Sequence, residues 1–473
     1  MKTSAANKLT EGSIITSLLS LSVPIVFANI LHTAYNLTDT FWLGRLGQHA
    51  VASVSLSFPI IFLLISLGGG MSIAGSILVA QYKGKGDKHS VDYIAAQTII
   101  VMCFSSVIVS ILGFFNADNY MRLLGVETAV YIDSVKYLKI IFLGVLFLFG
   151  FFVFQALMRG VGDVKTPVYI SLGTVLLNLI LDPLFIFGYG FIPPMGVSGA
   201  AIATITTQGL ATIIGMFILF SGNYGIHLHL KNLKPDIALI KKMYKLGLPA
   251  SIEQSMRALG LLIMTFLVAG FSTVIIAAYG IGSRILSFII IPSIGLAMAT
   301  STLVGQNIGA GKLERAERIV KISARTSFVV LSVTGLLIFI FARPLAAFFI
   351  PRDIGAITYS TAFIRIMALT FGFLGIQHVL CGAFRGSGDT IAAMVMAVIS
   401  LWLLQFPLAF VLSRFTVLSE SGIWWSYPIT NVIAAAIVVI YFKKGRWREK
   451  KLTEGFTVRG MVTQEVMIEE GVD

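Results

Sequence analysis

Long apolar segments recur along the whole chain, separated by short stretches that collect the charged and turn-forming residues. Within each segment the apolar residues are continuous and do not alternate with polar ones, so we expect helices and not barrel strands. Each is long enough for a bilayer-spanning helix of about 20 residues. We place them near residues 16–38, 50–80, 93–115, 136–158, 167–190, 197–221, 244–270, 274–304, 326–350, 358–383, 392–414 and 423–442. The pattern predicts an all-α polytopic membrane protein with twelve transmembrane helices.

Composition supports this prediction and excludes a soluble protein. Of the 473 residues, 56% are apolar and 12% are charged, and the mean hydropathy is +0.89. An average soluble domain has roughly 25% charged residues. The net charge of +13 would fit a nucleic-acid partner in a soluble protein, but in a membrane chain basic residues mark cytoplasmic loops. The expected partner is therefore the lipid bilayer, with no nucleic acid.

Lys and Arg are distributed unevenly between the two predicted sides. The termini and alternate loops hold 25 of the 35, including those of RGVGDVKT (159–166) and RGSGDT (385–390), whereas the opposite loops hold five. The more basic side faces the cytoplasm. We therefore expect a multi-pass protein of the cell membrane with both termini in the cytoplasm.

An internal repeat divides the chain into two halves. A shift of 225 residues superposes Pro24 on Pro249 and VAQYKGKG on VGQNIGAG, and a shift of 226 superposes ALMRGVGD on GAFRGSGD. Each half holds six helices, so both enter from the same side as pseudosymmetric lobes of a parallel repeat, with a cleft between them. The predicted N-terminal lobe, cytoplasmic linker, C-terminal lobe and cytoplasmic tail are residues 1–221, 222–243, 244–445 and 446–473.

The motifs give no support to an enzyme. GAGK at 309–312 resembles a phosphate-binding loop, but Gln306 stands where that motif needs glycine and Leu313 follows the lysine. His227 and His229 are two residues apart in a basic linker, where a solvated loop explains them better than a metal site. No nucleophile is paired with a base. We expect a protein that is not an enzyme and has no cofactor.

Acidic residues inside predicted spans are the strongest functional signal, because an aspartate at a helix centre costs about 2.5–3.5 kcal/mol to insert. Asp39 ends the polar string TAYNLTD of the first span, and Asp182 lies in the fifth. Asn178 precedes Asp182 by four residues and so shares its helix face. Asp39 could instead lie at the outer interface, and Asp182 could cap a helix before Pro183.

The two acids occur in one half only, which favours a functional role. Under the repeat, the apolar residues Met264 and Leu408 occupy the positions of the two aspartates. Thr38 and Thr204 add hydroxyl oxygens nearby. Oxygen ligands suit Na⁺, and a carboxylate in a low-dielectric site suits a proton carrier. The residues leave the choice of ion open.

Further polar residues are candidates for the wall of a substrate cavity. Glu253 and Gln254 lie near the cytoplasmic end of the seventh span, and Arg284 lies in the eighth. Glu253 could instead pair only with Arg257 at i+4, and Arg284 could snorkel or pair structurally. The remaining candidates belong to the polar string of the first span: Tyr35, Asn36 and Thr38.

Several motifs in order resemble the MATE (multidrug and toxic compound extrusion) family, and most closely its DinF-like branch. They are TAYNLTDTFWLGRLG, VAQYKGKGD, ALMRGVGDVKTP, LNLILDPLFIFGYG and GVSGAAIAT, and the likeness covers roughly residues 12–445. The resemblance implies a monomeric efflux antiporter with two six-helix lobes. Such a protein exports cationic or amphipathic small molecules by alternating access, against an inward flow of H⁺ or Na⁺.

The resemblance also implies which residues couple the ion. In DinF-like members these are the aspartates of the YNL-x-D and N-x-x-x-D-P motifs, here Asp39 and Asp182. Asn178 completes the second motif and would join the two acids around Na⁺. Thr204 corresponds to the small polar residue of the sixth helix. The C-terminal lobe lacks the acids expected in the NorM branch.

Two other classes of function stay open at this point. A flippase for lipid-linked oligosaccharide or another amphipathic lipid would share the two lobes, but we would expect several basic residues in its cleft. A channel or receptor fits a duplication with acids in one lobe less well than alternating access does. Pro24 gives the first helix a flexing point, because proline has no N–H. Neutralising the acids could shift that helix and make ion and substrate binding antagonistic.

Overall fold

The computed structural model describes residues 9–123, 125, 128–450 and 452–453, and it is almost entirely helical. Apart from an isolated bridge between Tyr189 and Ile192, these residues form no β-structure. The helices of the first half are α1 (Ile14–Leu46), α2 (Gln48–Lys85), α3 (Lys88–Leu123), α4 (Thr128–Leu143), α5 (Val145–Val161), α6 (Lys165–Phe187) and α7 (Val197–Ser221). Those of the second half are α8 (Ile237–Ala269), α9 (Thr273–Gly309), α10 (Leu313–Ile340), α11 (Ala342–Phe349), α12 (Ile354–Ala368), α13 (Phe371–Ser387), α14 (Thr390–Val398), α15 (Phe406–Arg414) and α16 (Glu420–Lys443).

The helices account for the predicted number of spans. Within the described part of the chain, ten helical segments are long and apolar enough to cross a bilayer, and two bent pairs bring the number to twelve. The bend between α4 and α5 is 49°, and that between α12 and α13 is 52°. These breaks, at Gly144 and at Thr370, coincide under the 226-residue offset. The predicted all-α fold with twelve spans is confirmed, and the repeat extends to its two broken helices.

Two local features differ from the pattern of apolar segments. The fourth and tenth spans are broken where the apolar runs 136–158 and 358–383 are continuous. Gly144 lies at the first break and packs so closely on Ile205 that a side chain would not fit. The second difference is that α8 begins at Ile237, inside the predicted linker 222–243.

A carboxylate cap and a docked loop explain the early start of α8. The Oδ1 atom of Asp236 accepts hydrogen bonds from the backbone N–H groups of Ala238 and Leu239, at 2.9 and 3.1 Å. Such a cap satisfies donors that the first helical turn leaves free. On α3, Gln97 donates through Nε2 to the carbonyls of Asn232 and Lys234, at 2.9 and 2.6 Å. The segment that joins the halves is therefore held against the first half.

Both described chain ends lie at one end of the helix bundle, which we call the terminal end. Asn307 donates through Nδ2 to the carbonyl of Leu9 at 3.2 Å. The backbone N–H of Leu452 donates to Oε1 of Gln81 at 3.2 Å. Gln81 and Asn307 belong to the last turns of α2 and α9. The two chain ends are therefore on the same side, as an even number of spans requires.

The two halves close against each other at the terminal end through a pair of equivalent contacts. Gln81 donates through Nε2 to the carbonyl of Gly386 at 3.1 Å, and Gln306 donates through Nε2 to the carbonyl of Gly160 at 2.9 Å. A Cβ atom added to Gly84 would overlap the carbonyl of Gln306, and one added to Gly309 would overlap the carbonyl of Gln81. Glycine thus permits the backbones of α2 and α9 to touch.

Gly84→Ala is expected to open the terminal end, because the added methyl group displaces the backbone of α9. We expect faster maleimide labelling from that end of a cysteine introduced by Ser301→Cys, in a chain without Cys103 and Cys381. Gly280→Ala is the matched control, since nothing lies within 4 Å of a Cβ at that helical glycine. Equal labelling rates in the two variants would show that the glycine contact does not hold the halves closed.

Candidate functional site

Asp39 and Asp182 come together inside the first half. Asp39 lies within α1 and Asp182 within α6, and their carboxyl groups are close enough for each to influence the charge of the other. Asn178 donates through Nδ2 to Oδ1 of Asp182 at 2.9 Å, and Thr204 Oγ1 is 3.4 Å from Oδ2 of Asp39. Three helices therefore bring these four polar side chains to one place.

Several oxygen atoms of this acid site have no hydrogen-bond donor. They are Oδ1 of Asp39, Oδ1 of Asn178 and Oδ2 of Asp182, each buried and unpartnered among the described residues. The side chains of Asn178 and Asp182 are fully buried. Unpaired buried carboxylates are costly unless a proton or cation neutralises them. The chemistry of these groups would suit a proton or a small oxygen-seeking cation.

The helix bounds decide one structural alternative, the proposed cap at Asp182, and the contacts of Asp39 show which way that side chain faces. Asp182 does not cap a helix end, because α6 continues through Pro183 to Phe187. Asp39 lies seven residues before the end of α1 and contacts Thr204 of α7, so it faces the interior of the first half.

The three other candidates from α1 lie in different surroundings. The hydroxyl of Tyr35 forms a 2.6 Å hydrogen bond with that of Thr207, next to the acid site. Thr38 donates to the carbonyl of Ala34 at 3.0 Å, within its own helix. Asn36 is exposed. Of these three residues, Tyr35 alone is placed by its contacts beside the acids.

A central cavity of about 260 Å³ lies between the two halves, separate from the acid site. Arginine side chains line it toward the terminal end, and apolar side chains form most of its wall toward the far end, where Gln405 and Tyr427 also line it. Leu401 and Gln405 reach it from a π-helical turn, Ile399–Gln405, that interrupts the eleventh span. Such turns widen a helix locally and are frequent at functional sites. Gln254, a candidate for the wall of a substrate cavity, also lines this cavity.

Glu253 forms the centre of a buried charge cluster beside this cavity. Its side chain is 1% exposed, and its Oε1 atom receives Arg385 at 2.7 Å and Arg257 at 3.2 Å. Arg257 also contacts Nε2 of His378 at 3.1 Å, and Nδ1 of His378 is 2.8 Å from the hydroxyl of Ser293. Because arginine only donates, Nε2 of His378 accepts and the ring is neutral. The predicted Arg257 pair exists as part of a larger network.

Two of the arginines that line the cavity lie near its terminal end, and the sequence pattern placed both of them in loops. Arg159 is in the last turn of α5 and Arg385 in the last turn of α13, and both line the cavity. Their equivalence in ALMRGVGD and GAFRGSGD was the signal that could have marked them as a pair across the cleft. The substrate-cavity candidate Arg284, in contrast, is exposed, and its guanidinium lies 5.8 Å from the ring centre of Phe349.

Comparisons with known proteins agree on one family. The MatE family model matches residues 24–184 and 249–411, one block in each half. "Probable multidrug resistance protein YoeA" of Bacillus subtilis is 26% identical over 450 residues, which cover 94% of this chain and 97% of that protein. A protein of Shewanella oneidensis named "FAD transporter" is 26% identical over 420 residues, covering 88% and 91%. A crystal structure of a MATE protein in its bent conformation superposes with a TM-score of 0.88 at 23% identity, covering 94% and 98%.

Proposed function

Because this chain belongs to the MatE family of transporters, we propose that it is a secondary active exporter that exchanges an amphipathic small molecule for H⁺ or Na⁺ by alternating access. It is a membrane transporter and not an enzyme, and its curated relatives include multidrug resistance proteins. We propose that it acts as a monomer in the cell membrane.

The acid site is the observation that best supports an exchange of substrate for an ion. Two carboxyl groups meet in one half of the protein, with unpartnered buried oxygens on each and on the neighbouring Asn178. Neutralisation by a proton or cation would stabilise such a site, so the bound ion would act on the helices that hold it. The ion is the transported co-substrate in this proposal. Three helices hold the site, and one of them is α1.

Helix α1 offers the connection between the ion and the substrate. It carries Asp39, contains Pro24 and packs on α9, where a Cβ at Gly295 would meet Val26. Neutralising Asp39 would let α1 move about Pro24 and change the width of the cleft. Ion and substrate would then oppose each other's binding by the same factor, as linkage demands.

Family membership leaves the charge of the substrate undetermined. Some relatives are named for multidrug resistance and one for FAD, a molecule that bears a diphosphate. Transport of cationic compounds, which the family resemblance implies, has no acidic residue to support it among the described residues that line the cavity. Lipid flipping is not favoured by the names of these relatives.

We also propose that the terminal end faces the cytoplasm. The halves are closed at that end, so the cleft in this structure would open to the opposite side of the membrane. We expect a cysteine introduced by Lys234→Cys, at an exposed linker position, to resist a membrane-impermeant maleimide added to intact cells. The same cysteine should react once the membrane is opened by detergent. Reaction in intact cells would place the linker outside and reverse the orientation.

Reconstituted vesicles test the proposed exchange. Two probes of opposite charge, ethidium and 1-naphthyl phosphate, keep the test independent of substrate charge. We expect a pH gradient or a Na⁺ gradient to drive the uptake of at least one probe, and protein-free vesicles to show none. The gradient that works identifies the ion. Failure of both gradients with both probes would contradict the proposal.

A further inference from the structure

We infer that the central cavity binds an amphipathic organic anion, with a carboxylate, sulfonate or phosphate head between Arg159 and Arg385 and an apolar body in the far half. This inference rests on the proposed function for its transport step and on the cavity alone for its binding step. It names a substrate class opposite in charge to the cations implied by the family resemblance.

The described cavity wall has an excess of positive charge. Arg159, Arg257 and Arg385 line it, and no aspartate or glutamate does. Behind the wall, Glu253 is shared by Arg257 and Arg385. One carboxylate therefore balances three guanidinium groups, which leaves a formal charge of +2. Arginine is also the side chain best suited to bidentate binding of carboxylate and phosphate.

Arg159 is the arginine of this cavity most available to a bound anion, because no described carboxylate pairs with it. Arg385, another cation, lines the same cavity from the equivalent helix of the other half. The repeat explains the difference between the two arginines. Residue Ala28 occupies the position in the first half that Glu253 occupies in the second. A half-buried cation beside another cation favours a bound anion, and the described residues that line the cavity supply none.

The direction of the helices makes the cavity amphipathic. Arg159 and Arg385 lie in the last turns of α5 and α13, at the terminal end. Helix α8 runs away from that end, so Met264 near its far end faces the opposite part of the cavity. The rest of that part is lined mainly by apolar side chains, among them Leu261, Leu286 and Ile290. A ligand with an anionic head and an apolar body matches both parts, since such pockets combine apolar walls with few polar anchors.

Calorimetry on the full-length protein in phosphatidylcholine nanodiscs tests the binding step. The probes are 1-naphthyl phosphate and 1-naphthylmethyltrimethylammonium, which share a ring and differ in the sign of the head. We expect the phosphate to bind at least tenfold more tightly, and Arg159→Gln to weaken it at least tenfold. Arg365→Gln is the matched control, because that arginine is exposed and lies 5.5 Å from the ring of Phe339.

Thermal unfolding without a probe separates a binding arginine from a structural one. Arg159→Gln removes a repulsion and orphans no acid, so its melting temperature should equal or exceed that of the wild type. A lower melting temperature together with unchanged phosphate binding would overturn the inference. Equal or tighter binding of the ammonium probe by the wild type would also overturn it.

Two further arms assign the source of the anion and separate this inference from the proposed function. If a lipid headgroup enters the site, nanodiscs that contain phosphatidylglycerol should weaken binding of the phosphate probe, and this effect should depend on Arg159. If the ligand is a soluble anion, binding of the phosphate probe should be unchanged. Either result supports an anion site. Ion-driven transport of the ammonium probe without binding of the phosphate probe would support the proposed exporter and contradict the anion site. Binding of the phosphate probe without any ion-driven transport would support the anion site and contradict the exporter.

Discussion

Asp39→Asn is expected to lower ion-driven transport in vesicles at least hundredfold while the protein still folds. The substitution keeps the shape of the side chain but removes the titratable group, and no described residue donates a hydrogen bond to Oδ1 of Asp39. Asp182→Asn should have the same effect, since its Oδ2 is also unpartnered. The measurement is the initial rate of probe uptake under the effective gradient, normalised to the amount of monodisperse protein.

Asp118→Asn is the control for the acid site. Asp118 lies near the end of α3 and pairs with Lys139 at 2.5 Å, with both side chains partly exposed. An exposed pair of this kind contributes roughly 0–1 kcal/mol, so both transport and stability should stay close to wild type. Wild-type transport rates in Asp39→Asn would remove that residue from the exchange.

Glu253→Gln is expected to destabilise the protein by about 3 kcal/mol. The change removes the carboxylate that Arg257 and Arg385 share, and breaking a buried pair costs roughly 3–5 kcal/mol. We expect the lower end of this range because the side chain of Arg257 is 26% exposed. Reversible unfolding in detergent, followed by tryptophan fluorescence, measures the difference.

A double mutant tests whether the loss comes from the unpaired cations. Glu253→Gln combined with Arg385→Gln should recover part of the stability, because neighbouring substitutions are not additive. The matched surface control is Glu317→Gln, which breaks contacts to Lys321 and Arg448 but leaves each of those side chains about half exposed. Equal destabilisation by the buried and the surface substitution would show that burial does not strengthen the cluster.

The sequence was sufficient for the fold because apolar length is a strong signal. Twelve long apolar runs and a repeat offset of 225 to 226 residues predicted the spans and the parallel halves. The same signal could not predict the breaks at Gly144 and Thr370, since a bend leaves the hydropathy of a span unchanged. Nor could it place the start of α8, which depends on the Asp236 cap and on contacts with α3.

The site was predicted unevenly for a physical reason. Asp39 and Asp182 were chosen as candidates because acids deep in an apolar run are costly and conspicuous, and Asn178 because it shares the helix face of Asp182. Arg159 and Arg385 were missed because each lies next to a glycine-rich turn, where basic residues are usually solvated. Only the orientation of α5 and α13 directs them into the cavity. Arg284 was proposed for the cavity wall because it lies within a span, but it is on the exposed surface of that helix.

The central claim is that ion and substrate move in opposite directions through one protein, with the acid site as the ion's binding place. Vesicles loaded with the probe that the protein transports, and with no ion gradient imposed, test it most directly. Downhill exit of the probe should drive H⁺ or Na⁺ into the vesicles, and Asp39→Asn should abolish that ion uptake. Exit of the probe from wild-type vesicles with no ion entry, or with ions leaving alongside it, would contradict the account.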